Sequence, residues 1–119
     1  MSAPVHPRVE NIVPILRVED MSAALHFYVD LRGFTNAPWG TNDFTQVSRD
    51  GSYIYLCRGD QGQGRAWVWV GVDDVEGLHE SYLAKGVPIR LPPTNFQWAL
   101  EMQIEDPDGN VLRIGSDPK

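Results

Sequence analysis

The 119-residue chain holds a single cysteine, Cys57, so an intrachain disulfide and a cysteine-rich metal site are both excluded. A reducing, cytoplasmic compartment fits that composition. No run approaches the roughly 20 apolar residues that span a bilayer, so no membrane association is expected. Ser2-Ala3-Pro4-Val5-His6-Pro7 lacks the apolar stretch of a secretory leader and reads as a short tail. Basic residues are also scarce: 10 Lys and Arg face 16 Asp and Glu, a net charge of −6. General nucleic-acid binders concentrate Lys and Arg to displace phosphate counterions, so nucleic acid is not an expected partner. An acidic surface suits a cationic small molecule as readily as it serves ordinary solubility. The Gly-rich run Gly59–Gly64 lacks the Lys-Ser/Thr ending of a phosphate-cradling loop and reads as a flexible connector.

What the chain does have is an internal repeat. Val18-Glu19-Asp20-Met21, followed by an apolar helical pattern to Gly33, recurs as Val72-Asp73-Asp74-Val75 with a pattern to Gly86. The second copy trails the first by 54 residues at its start and 53 at its end, a slip of one residue. Later in each half an Asp-Gly pair precedes an apolar strand: Asp50-Gly51 before Ser52–Leu56, and Asp108-Gly109 before Asn110–Ile114. Each half therefore reads strand, helix, strands, and neither can bury a sheet face alone. With 42% hydrophobic residues the chain suffices for one core and is short for two. The expectation is a single α+β domain over residues 1–119, with module one at about 9–59 and module two at about 65–117.

The helix ends and faces follow from residue chemistry. Asp20 and Asp74 can cap by accepting backbone N–H bonds, and Gly33 and Gly86 can adopt the positive φ of a helix stop. Between them Met21, Ala24, Leu25 and Tyr28, and then Val75, Leu78 and Tyr82, form apolar stripes at helical spacing, so helices are expected near 21–32 and 75–85. The two-residue strand period turns Val68, Val70 and Val72 to one side and Trp67 and Trp69 to the other. It likewise sets Leu16 and Val18 under the first helix, with Val13, Ile15 and Arg17 opposite. Tyr53, Tyr55 and Cys57 share one face, and Arg113 turns away from the core. A curved mixed sheet with helices outside would then carry a concave aromatic cleft.

Leu16-Arg17-Val18-Glu19-Asp20, His26-Phe27-Tyr28-Val29-Asp30-Leu31-Arg32-Gly33-Phe34 and Asp106-Pro107-Asp108-Gly109-Asn110-Val111-Leu112-Arg113 carry a family resemblance. Together they resemble the vicinal oxygen chelate superfamily of glyoxalases, extradiol dioxygenases and bleomycin-resistance proteins, from about Asn11 to Ser116. The resemblance implies paired βαβββ modules, the glyoxalase/bleomycin resistance fold, often in a homodimer. Members that do metal chemistry draw ligands from equivalent places on the cleft-facing strands of the two modules. Here those places hold Val13, Tyr55, Trp67 and Arg113. A divalent ion needs nitrogen or carboxylate donors at about 2.0–2.2 Å, which valine and tryptophan lack, and Arg113 would repel the ion.

A cleft without metal ligands matches the bleomycin-resistance branch, which this chain also resembles in the Leu-Arg ending after its Asp-Pro-Asp-Gly turn. Such proteins sequester a flat, cationic drug without chemistry. The resemblance thus implies a small-molecule-binding protein with no metal and no cofactor, acting in antibiotic resistance. The candidate ligand walls are Trp67, Trp69, Tyr55, Tyr53, Arg113 and Val13, with Trp39 and Trp98, since aromatic faces stack on planar rings and attract cations. For the tryptophans core filling is the competing role, and for Arg113 it is a salt bridge to Glu101 or Glu105. No catalytic residue emerges. His6 lies in the tail, His26 and His79 on helices, and Cys57 has no matching base; Asp106 and Asp108 are turn residues that bond their own backbone. Glu101 and Gln103 are the polar groups best placed by parity to touch a ligand. The alternatives are a metal-dependent or unusual lyase, isomerase or dioxygenase of the same superfamily, and a regulatory module whose cleft serves as interface.

Overall fold

A computed structural model describes residues 10–119; the expected tail and the first residue of module one lie outside the described residues. The first unit runs β1 (Ile15–Arg17), α1 (Met21–Leu25) continuing as a π-helical segment (His26–Leu31), β2 (Thr35–Asn36), β3 (Phe44–Arg49) and β4 (Ser52–Cys57). The second runs β5 (Trp67–Gly71), α2 (Val75–Lys85), β6 (Ile89–Asn95), β7 (Leu100–Glu105) and β8 (Val111–Ser116). Both are βαβββ. The expected mixed sheet is built as two four-stranded sheets of matching order, β1-β4-β3-β2 and β5-β8-β7-β6. In each, the first and last strands pair in parallel and all other neighbours are antiparallel.

The helix caps form as the sequence implies. Ala23 N donates to Asp20 Oδ1 at 3.1 Å and Gly77 N to Asp74 Oδ1 at 3.0 Å, while Gly33 and Gly86 both sit at φ 74°. The one-residue slip of the repeat has a local cause. At the end of α2, Val87 N donates to Tyr82 O and Gly86 N to Leu83 O, a Schellman closure. At the end of the first helix the corresponding bonds run from Phe34 N to Tyr28 O and from Gly33 N to Val29 O, each spanning one residue more. The π-helical turn absorbs that residue. It also brings the adjacent side chains Phe27 and Tyr28 both into the core.

One apolar core spans the two units, from Leu16, Met21 and Tyr28 to Val75, Met102 and Leu112. Val68, Val70 and Val72 pack against it, as their strand parity requires. Polar ties cross between the units at the Asp-Pro-Asp-Gly-Asn turn. Asp106, 4% exposed, accepts from the backbone of Asp108 and Asn110, and also from the Tyr28 hydroxyl at 2.9 Å. Asp108 accepts from Glu19 N at 2.9 Å, and Asn110 Nδ2 donates to Arg17 O at 3.4 Å. Burial, with the Asp106 carboxylate beside it, raises the Tyr28 phenol well above its ordinary range. The turn residues thus bond their own backbone and also clamp the two units. The Gly59–Gly64 connector passes over β1, where Gly62 lies too close to the Ile15 carbonyl for a side chain.

The molecule is elongated, with extents of 57 × 38 × 25 Å and a radius of gyration of 16.2 Å. A compact chain of this length has a radius of about 13–14 Å. Among the described residues no helix is long and apolar enough to cross a membrane.

Candidate functional site

The richest polar and aromatic constellation lies on the exposed face of the second sheet. Parallel pairing of β5 with β8 sets Trp69 beside Arg113 and Trp67 beside Val111. Because the valines of β5 take the core side, Trp67 and Trp69 project outward and are 55% and 49% exposed. The Trp69 ring lies against Gly115, where any side chain would displace its indole. Arg113 stands 5.3 Å from the Trp69 ring and Arg90 stands 5.2 Å from the Trp67 ring. Trp98 stacks on Phe96 with centroids 4.6 Å apart and planes within 6°. Between Trp69 and Trp98 a concavity of about 630 Å³ opens over Gly115 and Ser116.

Glu101 is the hub of this face. The residue is 1% exposed, and its carboxylate accepts a two-pronged contact from Arg113, Nε at 2.9 Å and Nη2 at 2.8 Å. Trp98 Nε1 donates to it at 3.0 Å and Gln103 Nε2 at 2.9 Å. These bonds, the Arg113 pair foremost, outweigh the cost of burial and lower the carboxyl from 4.5 to about 2. Of the two partners open to Arg113, Glu101 takes it, while Glu105 faces Arg90 at 3.5 Å. The ion pair fixes the Arg113 guanidinium beside Trp69, and Glu101 in turn orients Trp98. Glu101 and Gln103 do share the aromatic face, as strand parity implies.

The first sheet carries a separate aromatic group. Trp39 stacks on Phe44 at 6.3 Å, and Phe44 meets Tyr55 at 5.1 Å. Tyr53 is exposed two residues before Tyr55, and Val13 is half-buried just ahead of β1. Of the residues singled out from the sequence, Trp67, Trp69, Trp98 and Arg113 share one patch, and Trp39 and Tyr55 share another. Among the described residues no ring contact, hydrogen bond or ion pair joins the two patches. Phe44, Phe96 and Arg90 complete these groups and were not marked by the sequence reading. Strand parity could have found Phe44, two positions before Gln46 and opposite in phase to the buried Thr45 and Val47.

The four places where metal-dependent relatives would hold ligands do not fit an ion here. Their equivalence is visible in the strand registers: Ile15 pairs with Tyr55 three residues before Val18, and Trp69 pairs with Arg113 three residues before Val72. Val13 and Trp67 each precede those pairs by two residues. None of the four offers a neutral imidazole, a thiolate or a carboxylate. Among the described residues, no group of three His, Cys, Asp or Glu is placed to hold a metal ion. His26 pairs with Asp30 on the helix surface at 3.0 Å, and the buried Cys57 sulfur accepts from Gly59 N at 3.2 Å.

The paired modules and their shared topology define a glyoxalase-like fold, and the chain belongs to the glyoxalase/bleomycin resistance protein/dioxygenase superfamily, whose family model matches residues 8–114. No curated protein matches the sequence significantly. Among solved structures, the chain is similar to TnmS3, an antibiotic binding protein from Streptomyces sp. CB03234, at 24% identity and a TM-score of 0.80, covering 96% of this chain and 100% of that one. TioX from Micromonospora sp. ML1 is similar at 20% identity and a TM-score of 0.77, covering 91% and 98%. A lactoylglutathione lyase from Agrobacterium tumefaciens is similar at 19% identity and a TM-score of 0.72, covering 92% and 96%. One fold thus serves a binder and a lyase, and function must be read from the site.

Proposed function

We propose that this protein binds a planar aromatic or cationic organic molecule without a bound metal, and that it sequesters the molecule in the manner of the bleomycin-resistance branch. The observation that carries this reading is the chemistry at the four ligand places: Val13, Tyr55, Trp67 and Arg113 replace donors with an aliphatic chain, rings and a cation. Arg113 is moreover neutralised by Glu101, so the face presents rings with little net charge of its own. Stacking on Trp69 and Trp98 supplies affinity for flat molecules, and the net charge of −6 draws cations toward them. The likeness to an antibiotic binding protein supports a drug-like ligand and a role in resistance. The lone cysteine supports a cytoplasmic setting.

Elemental analysis of protein purified without chelator tests the reading against a metal-dependent lyase, isomerase or dioxygenase. The expected result is no stoichiometric zinc, nickel, manganese or iron; one ion per chain would overturn it.

The ligand cleft in this reading is closed by a second copy of the chain. The aromatic patches of the two units are exposed and unconnected within one elongated chain, and a two-fold partner would set one patch against the other. Sedimentation at micromolar concentration is expected to show a species of twice 13.4 kDa. A 13.4 kDa species alone would contradict this arrangement.

A further inference from the structure

A second cavity, of about 610 Å³, lies between the two units, and Arg32 lines it; it adjoins the concavity beside Trp69 at Gly71, Val72 and Asp73. Arg32 follows Tyr28 by four residues on the first helix, on the side that packs into the core, and is only 2% exposed. Its Nε donates to the Tyr82 hydroxyl at 3.0 Å, and the rings of Phe34 and Tyr82 lie 5.1 and 5.5 Å from its guanidinium carbon. No carboxylate among the described residues stands within ion-pair distance of it, and Nη1 is buried without any hydrogen-bond partner. The neighbouring Arg49 is differently placed: it donates to the Arg32 carbonyl at 2.7 Å and has Asp50 at 3.5 Å.

Buried arginines are ordinarily paired, because a desolvated cation is costly and its N–H groups need acceptors. Ring faces answer part of the charge and none of the in-plane N–H bonding. A guanidinium left this way fits a carboxylate, whose two oxygens match its fork. The walls beside it include Phe34, Val70 and Leu78, which suit an apolar body. Asp50, Asp73 and Asp74 also border the cavity and oppose any anion, a multiply charged one such as phosphate more strongly than a monocarboxylate. We infer that the cavity between the units is a binding site for a small monocarboxylate with an apolar body, held by Arg32. This inference does not rest on the reading of the tryptophan face.

The test uses benzoate and hexanoate as probes, with inorganic phosphate for contrast, followed by calorimetry and by amide shifts in ¹H–¹⁵N spectra of the whole protein. Benzoate or hexanoate is expected to bind saturably and to shift the amides of Gly77 and Ser81, which line the cavity. Arg32→Met should weaken that binding at least about tenfold, since an ionic hydrogen-bonding pair is lost. A folded Arg32→Met that binds the probe equally well would overturn the proposal. So would a preference for phosphate, or probe shifts confined to the Trp67 and Trp69 indoles. Should the variant fail to fold, the amide shifts of the wild type decide the matter alone.

Discussion

Arg113→Ala is expected to lower the melting point of the protein at neutral pH, because it takes the two-pronged partner away from the buried Glu101 carboxylate. The arginine side chain is 37% exposed, but its partner is 2% exposed, so its removal strands Glu101 with only Trp98 and Gln103 as donors. The pH dependence has a definite sign. Glu101 is lowered from 4.5 to about 2, so its pairing stabilises the fold fully above pH 4.5 and is lost as pH falls toward 2. Denaturant titrations should therefore show the gap between wild type and variant at its widest near neutrality and narrowing through that acid window. A gap that stays constant with pH would show that Arg113 acts by packing and not through Glu101.

The second large effect concerns binding. Trp69→Ala is expected to weaken a planar aromatic ligand by about 1–3 kcal/mol, roughly 5- to 150-fold, by removing stacking area from the face. The fold should persist, because the indole is 49% exposed and lies on Gly115 outside the apolar core. Calorimetry and circular dichroism on the same samples separate the two quantities. An unfolded variant would make Trp69 a core residue, and an unchanged affinity would remove it from the ligand site.

Much of this architecture was legible in the sequence because the chain states its helix twice, each time through an aspartate cap, an apolar stripe and a glycine stop. Strand parity was equally informative, since Val68 and Val70 leave Trp67 and Trp69 only the outward face. The one-residue slip between the repeats was readable as a number, but its cause was not: α and π turns differ in backbone bonding, not in residue pattern. The choice of Glu101 over Glu105 for Arg113 was not legible, because the β7–β8 register places Gln103 opposite Arg113 with both glutamates two residues from it, and it is Arg90 that engages Glu105. The division of the aromatics into two patches was hidden too, because parity assigns a face within a sheet and carries no information about how two sheets sit together. Arg32 was masked for a related reason. An arginine at the end of a helix reads as solvated, and only the packing of the second unit's Tyr82 over it makes it buried.

The central claim is that this face binds an organic ligand without a metal. It is tested most directly by titrating the protein with a planar aromatic cation such as ethidium, with and without EDTA, and following tryptophan fluorescence. Saturable quenching that is the same in both conditions is the expected result. Absence of saturable quenching, or quenching that EDTA abolishes and a divalent metal restores, would contradict it.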